Sequence, residues 1–394
     1  MQSRRQFIKS VGVAGGGCLG LGQLAPHWWQ QVAAAAEAST AGRKLVVIEL
    51  QGGNDGLNTV IPFADDAYYR ARPTIGIPKA DVVKLDDHLG LHPAMKTWQP
   101  LWDAGQLAVV ENCGYPNPNR SHFESMDIWH AGQPDVRVTS GWLGRAADSA
   151  SAAELCYVGE GAASRALSRR LRSVASLERL SDLQLRKDAL AARQSSAARR
   201  KDLASLVSAR QQQARELSMR LATDAAPPDP AAASNARPLV ERLTLIRTLL
   251  EQQQPFRVYY TALDGFDTHA QQSNSHRNLL EQVTTGVSGF LKELNEKKLG
   301  DDVAVFLFSE FGRRVKENGS LGTDHGAAAP VFVLGNRVKG GLQGGVPNLS
   351  DLDDGDVRHQ VDFRDVYAGL LGDWLGIDPT AVLGPRETPV RLFT

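Results

Sequence analysis

Short, largely apolar runs recur along the chain and are separated by amphipathic segments. Runs of four to six apolar residues are typical of β-strands whose two faces are both covered. The pattern therefore predicts five buried strands, at 45–50, 107–110, 256–261, 303–308 and 331–334.

Segments with a helical period lie between these runs. The apolar residues of 279–294 fall on one stripe, a second helix is predicted to begin near His122, and a last one covers 366–375. Alternating strands and helices predict an α/β fold, with a mostly parallel sheet covered by helices on both faces. Ligands of such sheets bind beyond the carboxyl ends of the strands, so the residues that directly follow each apolar run are the candidates for chemistry.

The middle of the chain has a different composition. Residues 164–221 are rich in Ala, Leu, Arg, Gln and Ser and contain no Gly or Pro, which favours helices. A Pro- and Ala-rich linker is predicted at 225–238, followed by a helix at 237–254. We therefore predict a helical insertion at about 162–254, outside the sheet. It either decorates the sheet or covers the ligand site, and the sequence leaves both alternatives open.

The N-terminus has the pattern of an export signal. Arg4 and Arg5 precede Phe7, as in twin-arginine signals. The Gly-rich stretch at 11–24 is too short for a stable membrane span, and the small residues at 33–38 suit signal peptidase. We predict a signal peptide at 1–38 that is recognised by the twin-arginine translocase. The domain at 39–394 is then expected to be exported, in the periplasm or beyond, and soluble after cleavage.

Charge and cysteine content exclude several classes of protein. Removal of 1–38 leaves 41 basic and 43 acidic residues, and a near-neutral protein has no general electrostatic attraction to nucleic acid or anionic membranes. No later apolar run is long enough for a membrane span. Cys113 and Cys156 remain, either as one disulfide or as two buried thiols. There is no cysteine cluster for iron–sulfur, zinc-ribbon or haem sites.

Polar clusters follow the predicted strands and place carboxylates and imidazoles at one rim of the sheet. One such pair alone is more often a loop hydrogen-bond pair, so the prediction of a metal site depends on the recurrence of the pattern. Mixed ligands of this kind suit zinc, manganese or iron, or calcium or magnesium where oxygen atoms dominate. The candidate ligands are Asp55, Asp267, His269, Glu310, Asp324 and His325.

Ser121 lies where the helix after the second strand is predicted to begin. One interpretation is a helix cap, because hydroxyl groups are favoured at that position. The other is a nucleophile, because the free N–H groups and the dipole of a helix N-terminus stabilise an anion or an attacked phosphorus. Among the nearby arginines, Arg313 is the candidate for holding phosphate or sulfate through two parallel hydrogen bonds.

Four motifs together resemble those of an exported bacterial family, the domain-of-unknown-function family 1501. They are Arg-Ser-His-Phe at 120–123, Gly-Phe-Asp-Thr-His at 265–269, Ser-Glu-Phe-Gly-Arg at 309–313 and Asp-His-Gly at 324–326. That family is similar to the alkaline phosphatase and sulfatase superfamily. The resemblance runs from about Lys44 to the C-terminus and implies a phosphatase/sulfatase-like fold.

The resemblance also implies roles for individual residues. Asp55 matches a metal-binding Asp after the first strand, and Ser121 matches the nucleophile. Asp267 and His269 match ligands of one metal, although they are closer together in sequence than the superfamily pattern requires. His325 matches a late His that precedes an apolar strand.

The second metal site of the superfamily is matched less completely. Glu310 stands where the superfamily has an Asp-His pair, so one imidazole is missing. Another alignment makes Asp324 and His325 that pair. These departures imply a single transition metal, a hard second ion such as calcium or magnesium, or a site that has lost activity.

The resemblance implies a metal-dependent hydrolase of phosphate or sulfate esters that acts on a small anionic ester. Ser121 would attack, and the metal together with Arg313 would stabilise the developing charge. The alternative is a catalytically degenerate protein of the same fold that binds or assembles with an exported protein partner. A redox protein is disfavoured because the mature chain contains no cofactor motif.

Overall fold

A nine-stranded sheet forms the centre of the fold. The structure is a computed structural model, which describes residues 42–133, 138–149, 154–170, 174–179, 238–386 and 388–394. The unit considered below is Arg43–Thr394. The predicted signal peptide at 1–38 lies outside the described residues, and so does 180–237 of the predicted insertion.

The strands are β1 Lys44–Leu50, β2 Val60–Ile61, β3 Val83–Lys84, β4 Gly90–Leu91, β5 Leu107–Gly114, β6 Glu154–Val158, β7 Ala175–Leu177, β8 Phe256–Leu263, β9 Val303–Phe308, β10 Ala329–Leu334, β11 Gly341–Gln343, β12 Leu352–Asp353, β13 Asp356–Val357 and β14 Val361–Asp362. The large sheet has the strand order β11-β5-β10-β9-β1-β8-β6-β7, with β14 paired to β5. The remaining strands form two small sheets, β2-β4-β3 and β12-β13.

All five predicted strands are confirmed, as β1, β5, β8, β9 and β10. The sheet is mostly parallel: β1 pairs in parallel with both β8 and β9, so that Val46 lies beside Tyr259 on one side and Val305 on the other. Only β10 runs antiparallel to its neighbours β5 and β9. The amino end of β10 therefore lies at the same edge of the sheet as the carboxyl ends of β1, β8 and β9.

Helices connect the strands, as the alternating pattern predicts. They are α1 Gly56–Thr59, α2 Asp66–Ala71, α3 Gln99–Asp103, α4 His122–Ala131, α5 Trp142–Ser149, α6 Pro238–Glu251, α7 Gln272–Glu296, α8 Phe363–Gly369 and α9 Pro379–Leu383. Short 3₁₀ segments occupy Pro93–Trp98, Arg165–Leu167 and Gly300–Asp302, and a π-helical segment, Leu370–Leu375, continues α8.

The two faces of the sheet are covered by different helices. Along β1, Val47 joins a core that contains Trp129 of α4 and Trp142 of α5. Its neighbour Val46 points to the other face, where Ile246 of α6 and Val287 of α7 lie. Complete burial of such side chains contributes about 1.5–3 kcal/mol each, so apolar packing on both faces is the main force that holds the helices on the sheet.

The predicted insertion is only partly helical where the structure describes it. The helix α6 accounts for the helix predicted at 237–254. Near the start of the insertion, however, Ala175–Leu177 forms β7, which pairs in parallel with β6 at the sheet edge. The helical prediction is wrong there because pairing with β6 satisfies the backbone and buries Leu177, which outweighs the local helix preference.

Cys113 on β5 and Cys156 on β6 are free, buried thiols. The strand order places five inter-strand steps between β5 and β6, which amounts to about 24 Å at the usual spacing and rules out a disulfide. Across the part of the chain that the structure describes, no helix is both long and apolar enough to cross a membrane.

Candidate metal centre

Loops from three strands meet the start of α4 at one edge of the sheet. Asp267 and His269 follow β8, and Glu310 follows β9. His325 precedes β10, and it reaches the same edge because β10 is antiparallel to β9. His122 is the first residue of α4.

Two glycines allow these loops to approach one another closely. Gly52 has a φ of +114°, and a Cβ atom on it would lie 2.3 Å from the backbone nitrogen of Asp267. A Cβ atom on Gly312 would lie 2.1 Å from the carbonyl oxygen of Ala328. Any larger residue at either position would push a ligand-bearing loop away from the site.

Asp267, His122, His269 and His325 form what we call the rim cluster. The Oδ1 atom of Asp267 lies 3.5 Å from Nε2 of His122. The same oxygen lies 3.2 Å from Nε2 of His269 and 3.2 Å from Nε2 of His325. The Nε2 atoms of His269 and His325 are 2.9 Å apart. Three imidazoles thus present the same ring atom to one carboxylate oxygen.

The opposite ring nitrogen of each imidazole faces an oxygen atom of the protein. Nδ1 of His122 lies 2.8 Å from Oε1 of Glu310. Nδ1 of His269 lies 3.2 Å from Oδ1 of Asp324, and Nδ1 of His325 lies 2.8 Å from the carbonyl oxygen of Arg120. Carbonyl and carboxylate oxygens can only accept, so we assign the proton of each neutral ring to Nδ1.

This assignment leaves three Nε2 lone pairs directed into the rim cluster. The Nε2 atoms of His269 and His325 are 2.9 Å apart, so their lone pairs repel each other unless a cation or a proton lies between them. In addition, Nε2 of His122 is buried and has no hydrogen-bond partner. Imidazoles that bind a metal characteristically donate their other N–H to a carboxylate or carbonyl, as all three do here.

The distances also fit a first coordination shell. Around a tetrahedral zinc ion with bonds of 2.0–2.1 Å, ligand atoms are about 3.3 Å apart. The four separations measured here run from 2.9 to 3.5 Å. Among the described residues, the group whose ligand atoms all lie within 4.8 Å of one another consists of His122, Asp267 and His325. His269 is not part of that group, and it adjoins it through Asp267 and His325. Three nitrogens and one oxygen suit zinc or manganese better than calcium or magnesium, which prefer oxygen ligands.

Arg313 holds Asp267 in place. The arginine side chain is fully buried, and its Nη2 lies 2.7 Å from Oδ1 of Asp267. Burial opposes ionisation of Asp267, but the hydrogen bond and charge of Arg313 outweigh it and lower the pKa to about 2. Asp267 is therefore a carboxylate at any neutral pH, as a metal ligand must be.

The predicted anion-binding role of Arg313 does not fit this geometry. Its Nε donates to the carbonyl oxygen of Gly53 at 2.7 Å, and its Nη1 to that of Thr323 at 2.8 Å. Its Nη2 also donates to Gly52 and Phe266. Because every guanidinium nitrogen is used inside the protein, Arg313 positions Asp267 and the loops rather than a substrate.

Glu310 and Asp324, both predicted as metal ligands, lie behind the histidines. Glu310 is 1% exposed and also accepts a hydrogen bond from the backbone N–H of Gly52 at 2.9 Å. Its hydrogen bond with His122 raises the pKa of that imidazole, against the opposing effect of burial. The carboxylates of Glu310 and Asp324 orient imidazole rings, and the structure does not direct them into the rim cluster.

Ser121 takes the N-cap position of α4, but its side chain makes no capping hydrogen bond. The residues on either side of it both take part in the site: the Arg120 carbonyl faces His325, and His122 belongs to the rim cluster. Ser121 therefore has the predicted N-cap position without a capping hydrogen bond, and its role as a nucleophile stays a prediction.

Asp55 lies apart from the rim cluster in a buried polar group. It is fully buried, and its Oδ2 lies 2.7 Å from Nη1 of Arg72. The same oxygen accepts a hydrogen bond from Gln272. Although burial alone would raise the pKa of Asp55, the charge and hydrogen bond of Arg72 lower it. The position predicted for a second metal ligand is thus neutralised by a guanidinium.

Comparison with known proteins decides the family. The model of the family described as "Protein of unknown function (DUF1501)" matches residues 42–392. The chain belongs to the DUF1501 family. No curated protein sequence matches it significantly.

Several solved structures resemble this DUF1501 chain at low identity. The lipoteichoic acid synthase LtaP from Listeria monocytogenes is 8% identical, with a TM-score of 0.39 and coverage of 88% of this chain and 78% of its own. The C-terminal periplasmic domain of EcEptC from Escherichia coli is 12% identical, with a TM-score of 0.39 and 88% of each chain covered. A protein in the alkaline phosphatase superfamily from Vibrio parahaemolyticus is 8% identical, with a TM-score of 0.41 and coverage of 91% and 79%. These likenesses are distant, and no activity follows from them.

Sequence reasoning missed two residues that define the site of this DUF1501 chain. His122 directly follows Ser121 in the motif at 120–123, so its position after a strand was a signal that could have identified it. Arg72 gave no such signal, because it is 17 residues from Asp55 and meets it only when the end of α2 packs against the start of α1.

Proposed function

We propose that this DUF1501 protein is a metal-dependent hydrolase of phosphate or sulfate esters. The observation that carries the proposal is the rim cluster, in which three Nε2 lone pairs converge on the Asp267 carboxylate while each Nδ1 is held by an acceptor. Such an arrangement is the donor set of a transition-metal site. His122, His269, His325 and Asp267 would hold the ion.

Ser121 is the proposed nucleophile. Its hydroxyl makes no capping hydrogen bond at the start of α4, and the residue directly precedes His122. The first-turn N–H groups of this ten-residue helix and its dipole favour an anion at that point, which suits a phosphoryl or sulfuryl group. Ser121 would attack phosphorus or sulfur and expel the alcohol, and water would then cleave the covalent ester and regenerate the hydroxyl.

A bound divalent cation supplies two things at such a site: it lowers the pKa of a hydroxyl or water, and it offsets negative charge on the transferred group. The protein's own residues prepare the site for it. Glu310 and Asp324 fix the ring orientation of His122 and His269, and Arg313 keeps Asp267 ionised.

We propose a centre with one cation. Asp55, the predicted ligand of a second ion, already has its charge balanced by Arg72. Binding a second cation there would require breaking a buried ion pair, which costs several kcal/mol.

The test combines metal analysis with turnover. Protein purified without chelator should contain about one equivalent of zinc or manganese, and it should hydrolyse at least one member of a panel of phosphate and sulfate monoesters and diesters. The Ser121→Ala variant should keep the metal and the fold yet lose turnover. Because Ser121 makes no capping bond, its stability should change by less than the roughly 1 kcal/mol of a lost cap.

Two outcomes would reject the proposal. Stoichiometric metal without turnover of any ester would favour the alternative, an exported binding or assembly protein that retains the fold. Absence of both metal and turnover would reject the metal centre as well.

We also propose that the protein is exported by the twin-arginine translocase, on the basis of Arg4 and Arg5 before Phe7. Replacement of both arginines by lysine should leave the precursor in the cytoplasm in a fractionation experiment. Unchanged appearance of the variant outside the cytoplasm would contradict this route.

A further inference from the structure

Phe123 is the most exposed large apolar side chain in the described part of the chain. It is 87% accessible to solvent, whereas the next two, Val346 and Leu321, are 41% and 37% accessible. An apolar ring in water is unfavourable, and a ligand that covers the ring recovers part of that free energy. The question is which ligand would do so.

The position of Phe123, next to His122 in sequence, indicates which ligand would cover the ring. It directly follows His122 in α4, so the two Cα atoms are about 3.8 Å apart. The rim cluster is itself open to solvent: the side chains of Asp267 and His269 are 47% and 45% exposed. A molecule whose anionic group reaches the rim cluster therefore has room to extend over Phe123.

A second exposed apolar residue, Leu321, belongs to a loop that contacts the rim cluster. The carbonyl oxygen of Leu321 accepts the backbone N–H of Gln272, and the neighbouring Gly322 packs against the backbone of His269. Phe123 is thus next in sequence to a residue of the rim cluster, and Leu321 is next in sequence to a residue that contacts it.

A small ligand fits Phe123 better than a protein partner does. Protein-docking patches are continuous apolar areas of several hundred Å². The neighbours of Phe123 on the same turn are polar instead: Arg120 is paired with Asp356, and Glu124 with Asn119. One isolated ring beside a charged site can contact part of a small substrate but offers too little area for a protein partner.

We propose that Phe123 is a specificity-determining residue that binds an apolar ring in the alcohol part of the ester. The inference rests on the proposed function, since the anionic group of the same molecule is taken to bind at the rim cluster. It assigns the substrate class: phosphate or sulfate esters of aromatic or other ring-bearing alcohols, rather than of short aliphatic ones.

The experiment measures hydrolysis of a benzyl ester and a methyl ester by the full-length, zinc-loaded protein. Both are phosphate esters or both are sulfate esters, whichever class the protein hydrolyses. Benzyl alcohol and methanol have similar acidity, so the intrinsic reactivity of the two esters is matched. Phe123→Ala should lower kcat/KM for the benzyl ester by roughly 3- to 10-fold, mainly through KM, and leave the methyl ester unchanged. Phe123→Tyr should retain the preference for the benzyl ester. Val346→Ala, a change at an exposed apolar residue outside α4 and the rim cluster, is the matched control.

A binding measurement separates failure of this inference from failure of the proposed function. Benzylphosphonate should bind the zinc-loaded protein more tightly than methylphosphonate in calorimetry, and Phe123→Ala should abolish the difference. If no ester is turned over but this binding preference exists and depends on Phe123, the hydrolase proposal fails and the ring-binding role stands. If esters are turned over but Phe123→Ala affects benzyl and methyl compounds equally, the inference is overturned and the hydrolase proposal survives.

Discussion

The rim cluster and the buried polar group around Asp55 are built from the same residue types but balance their charges in opposite ways. In the buried group, Arg72 supplies a positive charge 2.7 Å from Asp55, and Nε2 of His276 lies 3.0 Å from Oδ1 of Asn54. Burial lowers the pKa of His276 to about 4, so this ring is neutral. The charges of the group are balanced, although Oδ1 of Asp55 is buried without a hydrogen-bond partner.

In the rim cluster the balance is incomplete. Arg313 contacts Asp267, but the Nε2 atoms of three rings still face one another and the carboxylate, and Nε2 of His122 has no partner. The difference shows how to distinguish a polar group that belongs to the fold from one built for a ligand. The first balances its own charges, whereas the second leaves several imidazole lone pairs that face one another until a cation or a proton is added.

The largest expected effect is loss of the metal from the rim cluster. His325→Ala removes one of four ligand atoms, and we expect metal affinity to fall by more than about 100-fold, the upper end of what an outer-sphere change costs. Metal content is measured on protein purified without chelator, with folding checked by circular dichroism. His88→Ala, a change at an exposed histidine remote in sequence from the rim cluster, should keep the full metal content. Equal metal contents in the two variants would contradict the site.

The next largest effect should come from the buried group and should leave the metal alone. Arg72→Met leaves Asp55 buried without its partner, so we expect a loss of about 3–5 kcal/mol in the free energy of unfolding, measured by urea denaturation. Metal affinity of the folded protein should change little. The double variant Asp55→Asn/Arg72→Met should recover part of the loss, because no uncompensated charge remains.

One outcome would break the comparison between the two groups. If the wild-type protein binds two equivalents of metal and Asp55→Asn removes one of them, the buried group is itself a metal site.

A third acid sharpens the comparison because it has no charged partner. Glu111 of β5 is 2% exposed, its Oε1 has no hydrogen-bond partner, and burial raises its pKa from 4.5 to about 8. The folded protein thus holds this proton more tightly than the unfolded chain does. The contribution to stability is complete below about pH 4.5 and is lost as the pH rises towards 8, at about 1.4 kcal/mol per pH unit.

Glu111→Gln should therefore have opposite consequences at the two ends of this pH range. At pH 8 the variant should be more stable than the wild type by roughly 2–4 kcal/mol, and near pH 4.5 the two should be similar. The measurement is urea denaturation of chelator-treated protein, so that release of metal makes no contribution. A difference between variant and wild type that does not depend on pH would contradict the raised pKa.

The smallest expected effects concern the carboxylates behind the histidines. Glu310→Gln should weaken metal binding by about 10- to 100-fold, because it replaces the charged carboxylate behind Nδ1 of His122 with a neutral amide. Asp324→Asn should cost less, since Asp324 is 57% exposed and its contact with His269 is screened by water. Dissociation constants from competition with a chelator measure both. Should Glu310→Gln bind metal as tightly as the wild type, the charge of Glu310 does not contribute to metal binding through His122.

Much of the fold was determined by local pattern. The five buried runs, such as 303–308, are strands because an apolar segment covered on both faces has few alternatives. The strand-end rule placed Asp267 and His269 at one edge, because both directly follow β8. This part of the site could be predicted because it depends on a short stretch of sequence and on the common direction of parallel strands. His325 reaches the same edge for a different reason, since it precedes β10, which is antiparallel to β9.

The tertiary structure alone decided the rest. Docking of α2 brought Arg72 to Asp55 and turned a predicted metal ligand into half of an ion pair. Burial of Arg313 against several carbonyl oxygens made it a positioning residue. The acceptors behind His122 and His269 decided which nitrogen each ring turns to the cluster. Such contacts join residues far apart in the chain, and the charge, proton position and exposure of a side chain depend on those neighbours rather than on its place in the sequence.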